Sequence, residues 1–276
     1  MPLRLISADS QQVYRGMDIG TAKPLGPAKE RWGLIDVVDP GQLFSAGEFC
    51  RLAAPLCEAA WAEGKLPVLV GGTGLYLKAL LEGLAEIPAI PPELRVRLEA
   101  ELQSSGLEPL LARLDQADPV LAANLDRQNP RRVLRALEVF EGTGKPLSYW
   151  HAQPSTPALV PGHALWLGLD PGKDPLDQRI PQRVDACLEA GWLDEVKALA
   201  ARWGDEAMRK SPSIGYPELL DVALGALTPA DARERILLRT RQYARRQRTW
   251  FKAQSGIAWG RNGDDPALPK ALASIL

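Results

Sequence analysis

The stretch LPVLVGGTGLYLKALLEGL, residues 66–84, decides the fold. Its first five residues form a short, nearly all-apolar run, as expected of a parallel strand covered on both faces rather than one. Gly71-Gly72-Thr73 interrupts the run, and a helix is predicted from about Gly74 to Leu81. Strand, glycine turn, helix is the α/β pattern, in which ligands sit at the carboxyl end of the strand. Working outward toward the start, Gly64 ends a helix predicted over 45–62. Ser45 is its N-cap and Glu48, three residues on, completes a capping box. Leu3-Arg4-Leu5-Ile6 reads as a second strand running into the polar turn Ser7-Ala8-Asp9-Ser10. An apolar-poor loop, Gln11 to Pro24, follows it.

Working outward in the other direction, residues 85–92 are a proline-rich joint containing IPAIPP. Short helical stretches follow at 93–104, 107–114, 118–125 and 130–141, with no strand signal among them. A second proline-rich joint, 153–161, precedes a predicted strand at His163–Leu169. Helices are expected at about 174–189, 193–203, 217–224 and 229–254. The organisation expected is an α/β core, 1–85 and 156–276, interrupted by an all-helical insertion over 86–155.

Composition removes several function classes. The 276 residues are 46% hydrophobic and 24% charged, which excludes disordered and fibrous chains. No run of ~18 apolar residues is present to span a membrane, and the opening MPLRLISADSQQ lacks the blocks of a signal peptide. Cys50 and Cys57 lie seven apart in a predicted helix, too far to bridge, and no C-x-x-C occurs. His151 and His163 are the only histidines, so no His-rich metal site is expected, and no residue is assigned as a metal ligand. These features fit a reduced cytoplasmic protein, and nothing in them demands more than a monomer.

Net charge is −1, yet its distribution is uneven. Segment 86–118 carries seven acidic and three basic residues, whereas 228–252 carries eight basic and two acidic ones. That asymmetry leaves room for a local nucleic-acid footprint, although a solvated helix face explains it equally. On the predicted helix 229–254, Ile236, Thr240, Tyr243, Gln247 and Trp250 share an inward spacing. Arg241, Arg245, Arg248 and Lys252 form a separate stripe suited to phosphates.

Four further features carry possible chemistry. Asp9, just past a strand end and followed by Ser10, Gln11 and Gln12, can serve as a general base or simply close an Asx turn. Gly71-Gly72-Thr73-Gly74 can aim backbone N–H groups and a hydroxyl at an anion, or merely make a tight turn. Arg131 and Arg135 share a helix face near its start, where positive charge opposes the macrodipole and an anionic ligand would relieve it. An ion pair between Arg135 and Glu138 is the alternative. No G-x-x-x-x-G-K-[ST] phosphate loop occurs in the 276 residues.

Taken together, five blocks resemble the tRNA dimethylallyltransferase family, also called tRNA isopentenyltransferases. They are ISADSQQVYRGMDIGTAKP (6–24), LVGGTGLYLKALLEGL (69–84), NPRRVLRALEVFEGTGKPLS (129–148), QRVDACLEAGWLDEVKAL (182–199) and TRQYARRQRTWF (240–251). The resemblance implies a P-loop-kinase-like parallel sheet with a helical insertion. It implies transfer of a dimethylallyl group from dimethylallyl diphosphate to N6 of adenosine 37, in tRNAs that read codons beginning with U. Asp9 matches the family residue that takes the N6 proton, and Arg183 the arginine that holds the diphosphate. Positions matching Asp9, Ser10, Gln11, Gln12, Thr73, Arg95, Arg131, Arg132, Val133, Leu134 and Arg135 contact the tRNA in the family, and Mg²⁺ is the expected cofactor. An unpaired loop base is drawn into a pocket more cheaply than a paired one, consistent with an anticodon-loop substrate.

The family pattern begins with a strand and a loop of the form G-P-T-A-S-G-K-[ST], and here the DS-x-Q block starts near the first residue. The expectation is therefore a sheet lacking its first strand and P-loop, through a start placed too late or a truncation. Losing one preorganised donor alone costs ~2.7–4 kcal/mol of transition-state stabilisation, so low activity is expected of this form. Two other readings stand beside it: a catalytically inactive tRNA-binding paralogue, and an isopentenyltransferase acting on free adenine nucleotides. Pro217 and Trp32-Gly33 also depart from the residues usual in the family, at positions where local RNA contact is expected.

Overall fold

The computed structural model describes residues 1–24, 26–266 and 268. They divide into two compact units, one of Met1–Leu81 with Ala158–Leu276 and one of Glu82–Pro157.

The first unit opens with β1 (Leu3–Ser7), a 3₁₀ turn at Gly26–Arg31 and the two-residue β2 (Trp32–Gly33). Helix α1 (Ala46–Ala62) carries the expected capping box, Ser45 accepting from the Glu48 N–H at 3.1 Å and Glu48 from the Ser45 N–H at 3.3 Å. Then come β3 (Leu66–Val70) and α2 (Gly74–Glu82). The strands form a parallel sheet in the order β2-β1-β3, with Leu5 opposite both Trp32 and Val68. Ile6, Ala8, Phe49, Ala53, Cys57 and Leu80 fill the core between this sheet and its helices. Trp32 and Gly33, where the departure from the family pattern puts local RNA contact in question, pair with β1, and Gly33 is buried there.

One expectation for β3 fails. Its apolar run is not enclosed on both faces: no residue of it is fully buried and Val70 is 44% exposed. The reason is position. Among the described residues β3 pairs only with β1, so its other edge is open.

The second unit is built from α3 (Pro92–Ser105), α4 (Glu108–Ala117), α5 (Pro119–Ala122), α6 (Pro130–Thr143) and α7 (Leu147–His151). Leu98, Leu110, Leu114, Val133, Leu134 and Leu137 form its core. Buried Asp118 ties two helix starts together by accepting from the N–H groups of Leu121 (3.0 Å) and Ser148 (2.8 Å). Helix α7 escapes sequence reading because five residues are too few to show a helical period.

The chain returns to the first unit with β4 (Trp166–Leu169), then α8 (Lys173–Glu189), α9 (Trp192–Trp203), α10 (Asp205–Arg209), α11 (Tyr216–Ala223), the 24-residue α12 (Pro229–Lys252) and β5 (Ile257–Gly260). Strands β4 and β5 pair in parallel as a separate two-stranded sheet. A second core of Met17, Val184, Trp192, Val196, Tyr216, Leu220 and Ile236 joins the Gln11–Pro24 loop to these helices. No described helix is long and apolar enough to cross a membrane.

Candidate functional site

The site is assembled where β1 ends. Asp9 leaves the strand and its Oδ1 accepts the N–H of Gln11 at 2.7 Å and of Gln12 at 3.4 Å, so the following turn locks the carboxylate in place. The Asx turn weighed against a chemical role is therefore present, and it does not exhaust the group. Burial pushes the Asp9 carboxyl above its usual value, against the two N–H donors and the positive charge of Arg183 on α8. A carboxylate so placed is a stronger base than an exposed one, and it lies within the field of an exposed guanidinium.

Around Asp9 runs a chain of polar contacts. Thr73 Oγ1 accepts the Ser10 N–H at 3.0 Å and donates to Ser10 Oγ at 3.2 Å; Gln11 Nε2 donates to Ser10 Oγ at 2.9 Å. Ser213 Oγ donates to Gln11 Oε1, bringing in the Ser211–Gly215 loop. Sequence reading missed Ser213, since nothing local marks a partner 202 residues away. It missed Glu195 for the same reason: its Oε2 accepts the N–H groups of Asp18 (3.0 Å) and Ile19 (2.8 Å), and its Oε1 the Tyr216 hydroxyl.

Two readings of the loop residues change. Gln12 turns inward: its amide accepts from Ser7 Oγ at 2.9 Å and donates to the carbonyls of Thr21 (3.3 Å) and Ala22 (3.4 Å). Its side chain thus braces the Gln11–Pro24 loop, while Ser10 and Gln11 bond to Thr73 and Ser213. Lys23 anchors the same loop from beneath, its fully buried Nζ donating to Asp18 (3.0 Å), to Asp36 (2.6 Å) and to the Tyr14 carbonyl. Ala22, Leu34 and Asp36 nearby all have positive φ (51°, 63° and 56°), a conformation held by these bonds.

Of the two readings of the glycine loop, the tight turn is the one seen at Thr73. Its Thr73 N–H is spent on the Ala8 carbonyl at 3.2 Å and its hydroxyl on Ser10, so neither is free for an anion. The glycines are there for close approach. A Cβ on Gly71 would lie 2.2 Å from the Ala8 carbonyl oxygen, one on Gly72 2.0 Å from Gln247 Nε2, and one on Gly74 2.1 Å from the Trp250 ring. Gln247 Nε2 donates to the Gly72 carbonyl at 2.9 Å and to the Tyr243 hydroxyl at 3.1 Å. Burial, and to a lesser degree the Asp9 charge, push the Tyr243 hydroxyl above its usual value.

The next residue of α12, Arg248, reaches the other sheet. It pairs with Asp170, just past β4, at 3.0 Å, and Lys252 joins at 3.3 Å. Partial burial pushes Asp170 up, but the bonds from Arg248, the Gly172 N–H and Lys252 hold it below its usual value. One turn of α12 therefore touches the carboxyl ends of both β3 and β4. Beside it, Lys173 and Asp177 of α8 with Arg241, Arg245, Arg248 and Lys252 line an open cavity of about 630 Å³. The basic stripe expected on this helix is one wall of it.

In the helical unit, Arg131, Arg132 and Arg135 lie toward solvent at the start of α6, and Arg95 lies on α3. Arg135 makes the ion pair with Glu138, at 3.2 Å. Val133 and Leu134 are corrected: they are 0% and 2% exposed in the core of the unit, so their side chains have no access to an RNA.

No group of three or more His, Cys, Asp and Glu among the described residues could hold a metal ion. Mg²⁺ is commonly held by one or two protein oxygens, waters and the phosphates of a substrate, so a cluster of that kind is not required for a Mg²⁺ that arrives with a diphosphate.

Parallel strands whose carboxyl ends carry a fixed carboxylate, with helices packed against them, define an α/β protein whose ligand site lies at the strand ends. The comparisons specify it. The IPP transferase family model matches residues 12–254. A tRNA dimethylallyltransferase of Streptomyces griseus is 42% identical over 281 residues, covering 99% of this chain and 87% of that protein. One of Deinococcus radiodurans is 40% identical over 260 residues, 92% of this chain and 83% of its own length. The full-length tRNA isopentenylpyrophosphate transferase of Bacillus halodurans superposes with a TM-score of 0.65 at 35% identity, over 99% of this chain and 87% of that one. A eukaryotic dimethylallyltransferase acting on tRNA gives 0.72 at 28% identity, over 93% and 67%. The chain belongs to the IPP transferase family.

Proposed function

We propose that this chain transfers a dimethylallyl group from dimethylallyl diphosphate to N6 of an adenosine in a tRNA anticodon loop, adenosine 37 in tRNAs reading codons that begin with U. The observation that carries the proposal is the partly buried, N–H-fixed Asp9 carboxylate lying within the field of Arg183.

The chemistry needs both. The exocyclic amine of adenine is a poor nucleophile because its lone pair is delocalised into the ring. As N6 attacks the allylic carbon, the C–O bond to the diphosphate breaks, and Asp9 accepts the proton released from N6. Raising the basicity of Asp9 by burial favours that transfer. The departing diphosphate gathers negative charge, and Arg183 is the fixed cation that meets it. Mg²⁺, when bound with the diphosphate, would neutralise further charge on the leaving group.

Ser10, Gln11 and Thr73 supply hydrogen-bonding groups around the base, and Ser213 orients Gln11. Arg95, Arg131, Arg132 and Arg135 of the helical unit, and the basic wall of α12, take the RNA backbone. Donor and acceptor chemistry of this kind fits a cytoplasmic enzyme.

The test is incubation with tRNA and dimethylallyl diphosphate, followed by mass spectrometry of the digested nucleosides. A dimethylallyl adduct on one adenosine per tRNA supports the proposal. Modification of AMP in preference to tRNA overturns it in favour of a free-nucleotide acceptor. Binding of tRNA with no adduct overturns it in favour of a non-catalytic binder.

A further inference from the structure

Within the helical unit, Glu138 stands between two arginines that come from different helices. Its Oε2 accepts from Nη1 of Arg135, one turn earlier on α6, at 3.2 Å, and lies 3.9 Å from Nη1 of Arg95 on α3. The Glu138 side chain is 13% exposed, against 46% for Arg135 and 30% for Arg95. The carboxylate is thus beneath and the guanidiniums are above it, toward solvent. Arg95 is held a second time, its Nε donating to Glu99 at 2.6 Å.

We propose that Glu138 is a positioning residue that pre-organises Arg95 and Arg135 as a paired receptor for RNA backbone phosphate. Two guanidiniums brought together without an anion between them repel one another and splay apart. A single buried oxygen shared by both removes that repulsion and fixes their rotamers before the RNA arrives. A guanidinium presents five N–H donors, so contacts on the buried side leave others facing outward for phosphate oxygens. Rotamer freedom surrendered in the free protein is not lost again on binding, which is the source of the affinity gain.

Glu141, one turn further along α6, gives an internal comparison. It pairs with Arg97 of α3 and Arg113 of α4, and Arg113 also pairs with Glu101 at 2.7 Å. That carboxylate ties three helices together and touches none of the arginines assigned to RNA. The two glutamates do similar electrostatic work, but only Glu138 does it under Arg95 and Arg135.

The inference rests on the proposed reading of Arg95 and Arg135 as RNA contacts, and the experiment separates the two. Binding of an anticodon stem-loop RNA to the full chain is titrated by fluorescence anisotropy at several salt concentrations, for wild type, Glu138→Gln, Arg135→Gln, the double variant and Glu141→Gln. The expected result is a Kd raised roughly tenfold by Glu138→Gln, in line with re-ordering two long side chains. The salt slope should fall by about 0.7, the value for one single-strand phosphate that is no longer neutralised. In the Arg135→Gln background, adding Glu138→Gln should cost less than it does in wild type, because only Arg95 is then left to be released. Glu141→Gln should lower the thermal midpoint while leaving Kd unchanged. Tighter binding by Glu138→Gln would overturn the proposal, because the carboxylate would then merely repel phosphate. Additive losses in the double variant, or an equal Kd change in Glu141→Gln, would overturn it too. If Arg135→Gln itself leaves Kd and salt slope unchanged, the reading of Arg135 as an RNA contact fails and the proposal falls with it.

Discussion

Arg183 of α8 lowers the proton affinity of Asp9, yet burial still leaves that carboxyl above its ordinary value. The two residues lie far apart along the chain, on opposite sides of the helical insertion, and only the folded chain lets one feel the other. A base that is partly dry and a cation within its field are the two requirements of an allyl transfer to an amine.

Replacing Asp9 by Asn keeps the size and the turn but removes the base. The expected loss is roughly 10²–10⁴-fold in kcat, the usual worth of general base catalysis, with tRNA affinity changed far less. Single-turnover kinetics with tRNA in excess over Kd measures it. A loss confined to KM would remove Asp9 from the proton transfer.

The pH dependence follows from the same group. Asp9 must be ionised to accept a proton, and its pKa is raised above the ordinary value of 3.8, so the acid limb of kcat/KM should lie above that value. Arg183→Gln removes a charge that lowers the pKa, so it should move the limb to still higher pH. A profile measured across the acid range in both proteins checks the direction; a limb shifted to lower pH in Arg183→Gln contradicts it.

Lys23→Met should cost about 3 kcal/mol or more, since it leaves Asp36, Asp18 and the Tyr14 carbonyl without their buried cation. Burial raises the Asp36 pKa, but the bonds from Lys23 and Lys29 outweigh it and the net shift is downward. A lowered carboxylate contributes stability that is full above its unfolded pKa and is lost as pH falls through the folded one. Wild type should therefore lose more stability in acid than Lys23→Met does. Urea unfolding at neutral pH and near ~pH 3 measures both.

Alanine in the glycine loop should be tolerated unequally. At Gly72 the added Cβ meets the tip of Gln247, which can rotate away at the cost of one hydrogen bond, roughly 0.5–1.5 kcal/mol. At Gly71 it meets the Ala8 backbone, which cannot move without disturbing β1 next to Asp9. Gly71→Ala should accordingly be the more destabilising, by about 1–3 kcal/mol for overpacking. Gly71→Ala should also depress kcat more than Gly72→Ala. Equal thermal midpoints for the two variants would refute this ordering.

The elements that announce themselves locally were legible before folding. The capping box at Ser45 and Glu48, the apolar run 66–70, the glycine turn after it and the long helix 229–252 all have short-range causes: hydrogen-bond geometry, side-chain period and the missing Cβ. Family motifs carried the chemistry as far as Asp9, Arg183 and the arginines of α6. Elements too short to show a period were not legible, namely Trp32–Gly33, Leu147–His151 and Asp205–Arg209.

What a side chain is used for depended on its tertiary neighbours. Gln12 and Ser10 look alike in the sequence, yet one braces the Gln11–Pro24 loop and the other ties β1 to the glycine turn through Thr73. Val133 and Leu134 sit inside an arginine motif but are buried, because a helix turns each residue by a fixed angle and the packed side claims whatever falls on it. The sequence by itself determined the longer strands and helices and the kinship, all properties of neighbours along the chain. Tertiary structure alone decided which polar atoms remain unspent and how far the Asp9 carboxyl is raised, because hydrogen-bond partners and desolvation come from residues that only folding brings together.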